Sequence, residues 1–86
     1  MKLEFDAAKL ASNVAKHGIW FAQVELFEFE TAIYDVVRVG RESRIVFTGL
    51  VDARVHVLVG TLRGDALRII SFRRASKKEA LRYVNR

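Results

Sequence analysis

Arginine is the residue type in this chain best suited to chemistry on a phosphate, and it is concentrated at one end. Arg63, Arg68, Arg73, Arg74, Lys77, Lys78, Arg82 and Arg86 supply eight positive charges from Arg63 onward, against Asp65 and Glu79. The residues before Arg63 are nearly neutral, so this end carries the excess that makes the chain +5 overall. The guanidinium is a planar fork that donates two parallel hydrogen bonds to a phosphate. Such asymmetry favours a polyanion or an acidic protein as partner. A solvated basic face is the bland reading of the same residues.

RNA cleavage without a metal uses the adjacent 2′-hydroxyl as nucleophile. It needs a base, a stabiliser for the charged phosphorane and an acid for the leaving oxygen. Arginine stabilises charge but stays protonated and cannot be the base. His17, Glu79, Tyr83 and the lysines are the candidates for proton transfer. Of these only His17 has an ordinary pKa, about 6.5, suited to the task. A histidine before a C-cap glycine is also a common helix-end cation. His56, among valines, reads as a satisfied core or edge histidine. Tyr83 can stack on a base or pack on the sheet, and packing is favoured.

Other chemistries lack their residues. There is no cysteine, so cysteine nucleophiles, disulfides and cysteine-based zinc sites are excluded. Two histidines without ligand spacing give no expectation of a metal, and no phosphate-binding glycine loop or nucleophile elbow occurs. No cofactor is expected.

The elements that must position these residues belong to one domain, residues 1–86. Lys2 to Phe5 reads as a short strand. Asp6 then caps a helix whose apolar positions Ala7, Leu10, Ala11 and Val14 recur at helical spacing, closed by Gly18. Phe21 to Glu30 suggests a second helix with apolar and acidic faces. Four runs of strand composition follow, Thr31 to Val39, Arg44 to Val51, Val55 to Leu62 and Ala66 to Arg74. Their short connections predict an antiparallel meander. Ser76 and Glu79 form a capping box for a last helix from Lys77 to about Val84, with Ala80, Leu81 and Val84 as its apolar positions.

The expected fold is thus α+β, in the order β-α-α-β-β-β-β-α. Strict alternation along the last strand puts Ala66, Arg68, Ile70, Phe72 and Arg74 on one face, with Leu67, Ile69, Ser71 and Arg73 on the other. Arg73 and Arg74 would end that strand beside the helix N-terminus, where free amides also attract phosphate. The apolar third run requires cover on both sheet faces, from helices or a partner.

Arg68-Ile69-Ile70-Ser71-Phe72-Arg73-Arg74-Ala75, followed by Glu79 and Tyr83, resembles the C-terminal signature of the BrnT toxins, a branch of the RelE/ParE-like superfamily. Lys16-His17-Gly18 with Phe21, Phe5-Asp6 with Ala8-Lys9 and Asn13, and Glu42-Ser43-Arg44 with Gly49 resemble other parts of that family. The segment between Glu30 and Glu42 departs from it, lacking the length and proline of the family's loop.

The resemblance implies a small RelE-like domain and a cytoplasmic bacterial ribonuclease that blocks translation. It implies catalytic roles for His17, Arg44, Arg68, Arg73 and Tyr83, with Glu79 as a further candidate. RNA-backbone contacts would fall to Arg63, Arg74, Lys77 and Lys78. It also implies a cognate BrnA-like antitoxin with a ribbon-helix-helix DNA-binding part, so that DNA is contacted only indirectly. The charged opening residues and the absence of a long apolar run give no expectation of a leader or a membrane span. The alternative reading is an inactive interaction module that docks an antitoxin on its basic face and co-represses transcription. Direct DNA binding has no helix-turn-helix or zinc motif behind it.

Overall fold

The computed structural model of the chain describes residues 2–5 and 21–86. Strands β1 (Lys2–Phe5), β2 (Ile33–Val39), β3 (Glu42–Val51), β4 (Arg54–Arg63) and β5 (Ala66–Arg74) form one sheet, and helix α1 (Lys77–Val84) follows. The sheet order is β1-β5-β4-β3-β2. The expected meander forms from β2 to β5, all antiparallel. β1 adds to the far side of β5 in parallel, so the sheet is mixed. The first predicted helix, with Asp6 and Gly18, lies outside the described residues.

Two-residue turns join the meander. Gly40 and Gly64 adopt φ of 61° and 59°, where the left-handed region suits a residue without Cβ. Asp52 and Ala53, at φ 48° and 64°, both turn left-handed between paired Val51 and Arg54. Two positive φ values match the right-handed twist of a hairpin.

The second predicted helix is a correction. Phe21–Leu26 is a single stretch of 3₁₀ helix. Residues three apart eclipse in a 3₁₀ helix, and Val24 and Phe27 both enter the core at that spacing. The Phe27 amide bonds to the Val24 carbonyl at 2.9 Å. The next amide, Glu28, bonds instead to the Leu50 carbonyl of β3 at 2.9 Å. That cross-bond ends the helical ladder, and Leu26 is left exposed.

Cross-strand register defines two faces. Phe47, Leu58, Phe72, Leu67 and Ile69 belong to one, under Val24 and Phe27. Phe29 completes this layer through edge-on contacts with Phe27 (4.9 Å) and Phe47 (5.3 Å). Full burial of a side chain such as Phe72 or Leu58 contributes about 1.5–3 kcal/mol. Gly49 permits the layer, because a Cβ there would meet the Phe27 ring at 2.8 Å.

Strict alternation along β5 fails, and this is a second correction. Gly60 pairs with Ile69 but Val59 pairs with Ser71, which leaves Ile70 as the extra residue of a β-bulge. Leu67 and Ile69 before it, and Phe72 after it, therefore share one core. Arg68, Ser71 and Arg73 fall together on the opposite face, and Arg74 falls on the phenylalanine face. Gly60 sits at this point because a Cβ would meet Leu67 at 2.8 Å and the Arg68 carbonyl at 2.9 Å.

Helix α1 covers part of the second face, packing on β3 and β4. Its capping box forms in full: the Ser76 hydroxyl accepts from the Glu79 amide, and Glu79 accepts from the Ser76 amide. Tyr83 is its buried residue. Leu81 and Val84, apolar positions at helical spacing, are exposed, because the helix meets the sheet through the turn that carries Tyr83.

Candidate functional site

Three adjacent strands bring arginines to the α1 face. Arg44 comes from β3, Arg63 from β4 and Arg68 from β5. Together with Glu42, Thr61, Ile69 and Ile70 they line a cleft of about 240 Å³. Thr61 is the cross-strand partner of Arg68 and is buried. The bulge is what turns Arg68 to this side. In the cleft, Arg44 donates from Nε to Glu42 Oε2 at 3.0 Å. Both side chains are well exposed, so the pair orients Arg44 more than it stabilises the fold.

Arg73 lies on the same face but further along. Its cross-strand partner is Val57, four residues from Thr61 on β4. At about 3.3 Å per residue the two arginine positions on β5 are about 13 Å apart. Arg73 is held by a fork-to-fork pair with Glu79, Nη1 to Oε1 at 2.7 Å and Nη2 to Oε2 at 3.0 Å. Nη1 also approaches the Arg74 carbonyl at 3.3 Å. Three of the five guanidinium N–H groups are therefore engaged.

The Arg73 hydrogen bonds hold the Glu79 carboxyl at a pKa of about 2, aided by the Ser76 amide. In return Glu79 raises the Arg73 pKa above its ordinary value, chiefly through the same hydrogen bonds. Glu79 is then ionised near neutral pH and saturated with donors. The pair fixes the Arg73 guanidinium in place, and a carboxylate with a depressed pKa has little affinity for a proton.

The other sequence candidates divide. Lys77 and Lys78 are exposed in the first turn of α1, beside Arg73 and Glu79 in the chain. Arg74, expected among the RNA contacts, is opposite His56 on the phenylalanine face, away from the cleft. Tyr83 is buried, and its hydroxyl donates to Thr31 Oγ1 at 3.4 Å. The Arg86 guanidinium lies 4.0 Å from the ring centroid, so the ring packs instead of standing open to a base. His17 lies outside the described residues. His56 is buried, stacked on Phe72 at 5.3 Å, and its Nδ1 donates to the Arg54 carbonyl at 2.8 Å, which can only accept. That is the satisfied histidine the sequence suggests.

Sequence reasoning gave no role to Thr61. Its one signal was a hydroxyl residue inside an apolar strand run. Glu42 carried a clearer signal, two residues before Arg44 and so on the same strand face. Among the described residues no three His, Cys, Asp or Glu side chains gather to hold a metal ion. Among them, too, no helix is long and apolar enough to cross a membrane.

A five-stranded sheet with a capped C-terminal helix, presenting a three-strand arginine cleft, defines a small α+β domain. The family model for the ribonuclease toxin BrnT of type II toxin–antitoxin systems matches residues 5–79, and the chain belongs to that family. Membership makes it a ribonuclease toxin with an antitoxin as its partner. No curated protein matches the chain.

Proposed function

We propose that the chain is an endoribonuclease that cleaves RNA without a metal and thereby blocks translation. The observation that carries this reading is the convergence of Arg44, Arg63 and Arg68 on one cleft, from three strands. The cleft binds a backbone phosphate, with Thr61 as a further donor. Arg73, fixed by Glu79, meets a second phosphate along the strand and stabilises the charge that develops there. Lys77 and Lys78 extend the track. In the reaction the 2′-oxygen attacks the adjacent phosphorus as its proton passes to a base. The bond to the 5′-oxygen breaks, and that oxygen takes a proton. His17 is the group assigned to proton transfer, on its ordinary pKa of about 6.5. Glu79 holds the orientation of Arg73, and Tyr83 is the buried residue of α1.

The cognate antitoxin in this reading is a ribbon-helix-helix protein that neutralises the cleft and carries the complex to DNA. Induced expression without antitoxin tests the activity. Wild-type chain should arrest growth and fragment RNA, and Arg73→Ala and His17→Ala should each relieve both effects. Full arrest and cleavage by both variants would remove the assignment. A folded wild-type chain that leaves RNA intact would leave an interaction module.

A further inference from the structure

The sheet ends on one side at β2, and among the described residues nothing pairs with its outer edge. This is seven residues of regular strand, in unbroken register with β3. An edge strand normally carries a device against pairing with another chain: a proline, a lysine, a bulge or an outward charge. Ile33–Val39 contains no proline and no lysine, and its pairing has no register shift. Its one acidic charge is paired within the chain, and its one basic charge lies at the turn end of the strand. Asp35 pairs with Arg82 of α1 at 2.8 Å, and Arg38 donates to the Ser43 hydroxyl at 3.2 Å.

What the edge presents is apolar on both sides. Tyr34 and Val36 project on the phenylalanine face, 66% and 64% exposed, and Val37 and Val39 are exposed on the α1 face. The opposite edge differs, because β1 is four residues long and carries Lys2 and Glu4.

From this we infer that β2 is the docking edge for an extended strand of the antitoxin. The unpaired N–H and C=O groups select an extended backbone, since only a strand can satisfy a row of them. The exposed valines and Tyr34 select alternating apolar side chains on that strand. Charge selects the partner. Two copies of a +5 chain repel when joined edge to edge, whereas a segment flanked by acidic residues is drawn to Arg38, Arg41 and Arg44 around the β2–β3 turn. The inference rests on the antitoxin that family membership supplies and is independent of how RNA is cleaved.

Hydrogen exchange of the whole chain, free and saturated with its cognate antitoxin, reads the edge directly. Exchange at alternate β2 amides should slow at least tenfold in the complex. Val36→Lys should weaken antitoxin binding at least tenfold, with melting temperature and RNA cleavage unchanged. Tyr34→Lys is the substitute if Val36→Lys loses the fold. Unchanged β2 exchange in a saturated complex, or wild-type affinity in a folded lysine variant, would overturn the inference. So would a free chain that is dimeric with β2 already protected, since the edge would then belong to a second copy. These readouts report binding, so a chain with no ribonuclease activity would still decide the matter.

Discussion

Replacing Glu79 by glutamine isolates the charge that holds Arg73. Glutamine keeps an oxygen that can accept from the Ser76 amide, so the capping box survives in part. The charge-assisted fork with Arg73 does not. A carboxyl moved from the ordinary glutamate value of about 4.3 to about 2 corresponds to about 3 kcal/mol when shielded from water. Solvent reaches about a third of each side chain in the pair, and screening reduces this to about 1.5 kcal/mol.

The folded-state pKa of Glu79 is depressed, so its contribution is complete above the unfolded value near 4.3. It fades as pH falls through about 4.3 toward 2 and is lost below 2, where both states are protonated. Glu79→Gln should therefore be less stable than wild type at pH 7 by about 1.5 kcal/mol. For a domain of this size that is a melting temperature lower by about 6–12 °C. The gap should narrow steadily between pH 5 and pH 2. Urea unfolding across that range, with circular dichroism as the signal, measures it. A constant gap from pH 7 to pH 2, or no gap at pH 7, would refute the assignment of the stabilisation to the ionised pair. RNA cleavage by the variant should fall as well, because Arg73 loses its fixed orientation.

Three further outcomes follow from named contacts. Gly60→Ala must displace Leu67 or the Arg68 backbone, and should cost about 1–3 kcal/mol in denaturant unfolding and reduce RNA cleavage by disturbing Arg68. Ala53→Gly relieves a side chain held at φ 64° and should stabilise the hairpin by about 0.5–1 kcal/mol, read as a higher midpoint in urea. Arg68→Ala empties one wall of the cleft and should weaken RNA binding at low salt, with a shallower dependence of affinity on salt concentration. An unchanged salt slope would place Arg68 outside the RNA path.

Local chemistry made several elements legible. The four meander strands followed from β-branched composition and short connections. The last helix and its cap followed from Ser76 and Glu79, which interact three residues apart whatever surrounds them. The basic C-terminal segment and its arginines were visible as charge alone. Failures arose where a distant residue intervened. The acidic and apolar faces of Phe21 to Glu30 suggested a helix, but Leu50 of β3 takes the Glu28 amide. Leu81 and Val84 had helical spacing, yet Tyr83 sets which side of α1 meets the sheet.

The candidate site shows the division most clearly. The residue types able to grip phosphate, and their concentration after Arg63, are properties of the sequence, because charge and hydrogen-bonding capacity belong to each side chain. Which arginines meet is a property of the tertiary structure. Alternation separates Arg68 from Arg73, and one extra residue at Ile70 reunites them on the α1 face. That bulge depends on the fit of Gly60 against Leu67 and the Arg68 backbone across two strands, a contact no local pattern encodes. Arg44 and Arg63 join Arg68 only because β3 and β5 flank β4 in the sheet.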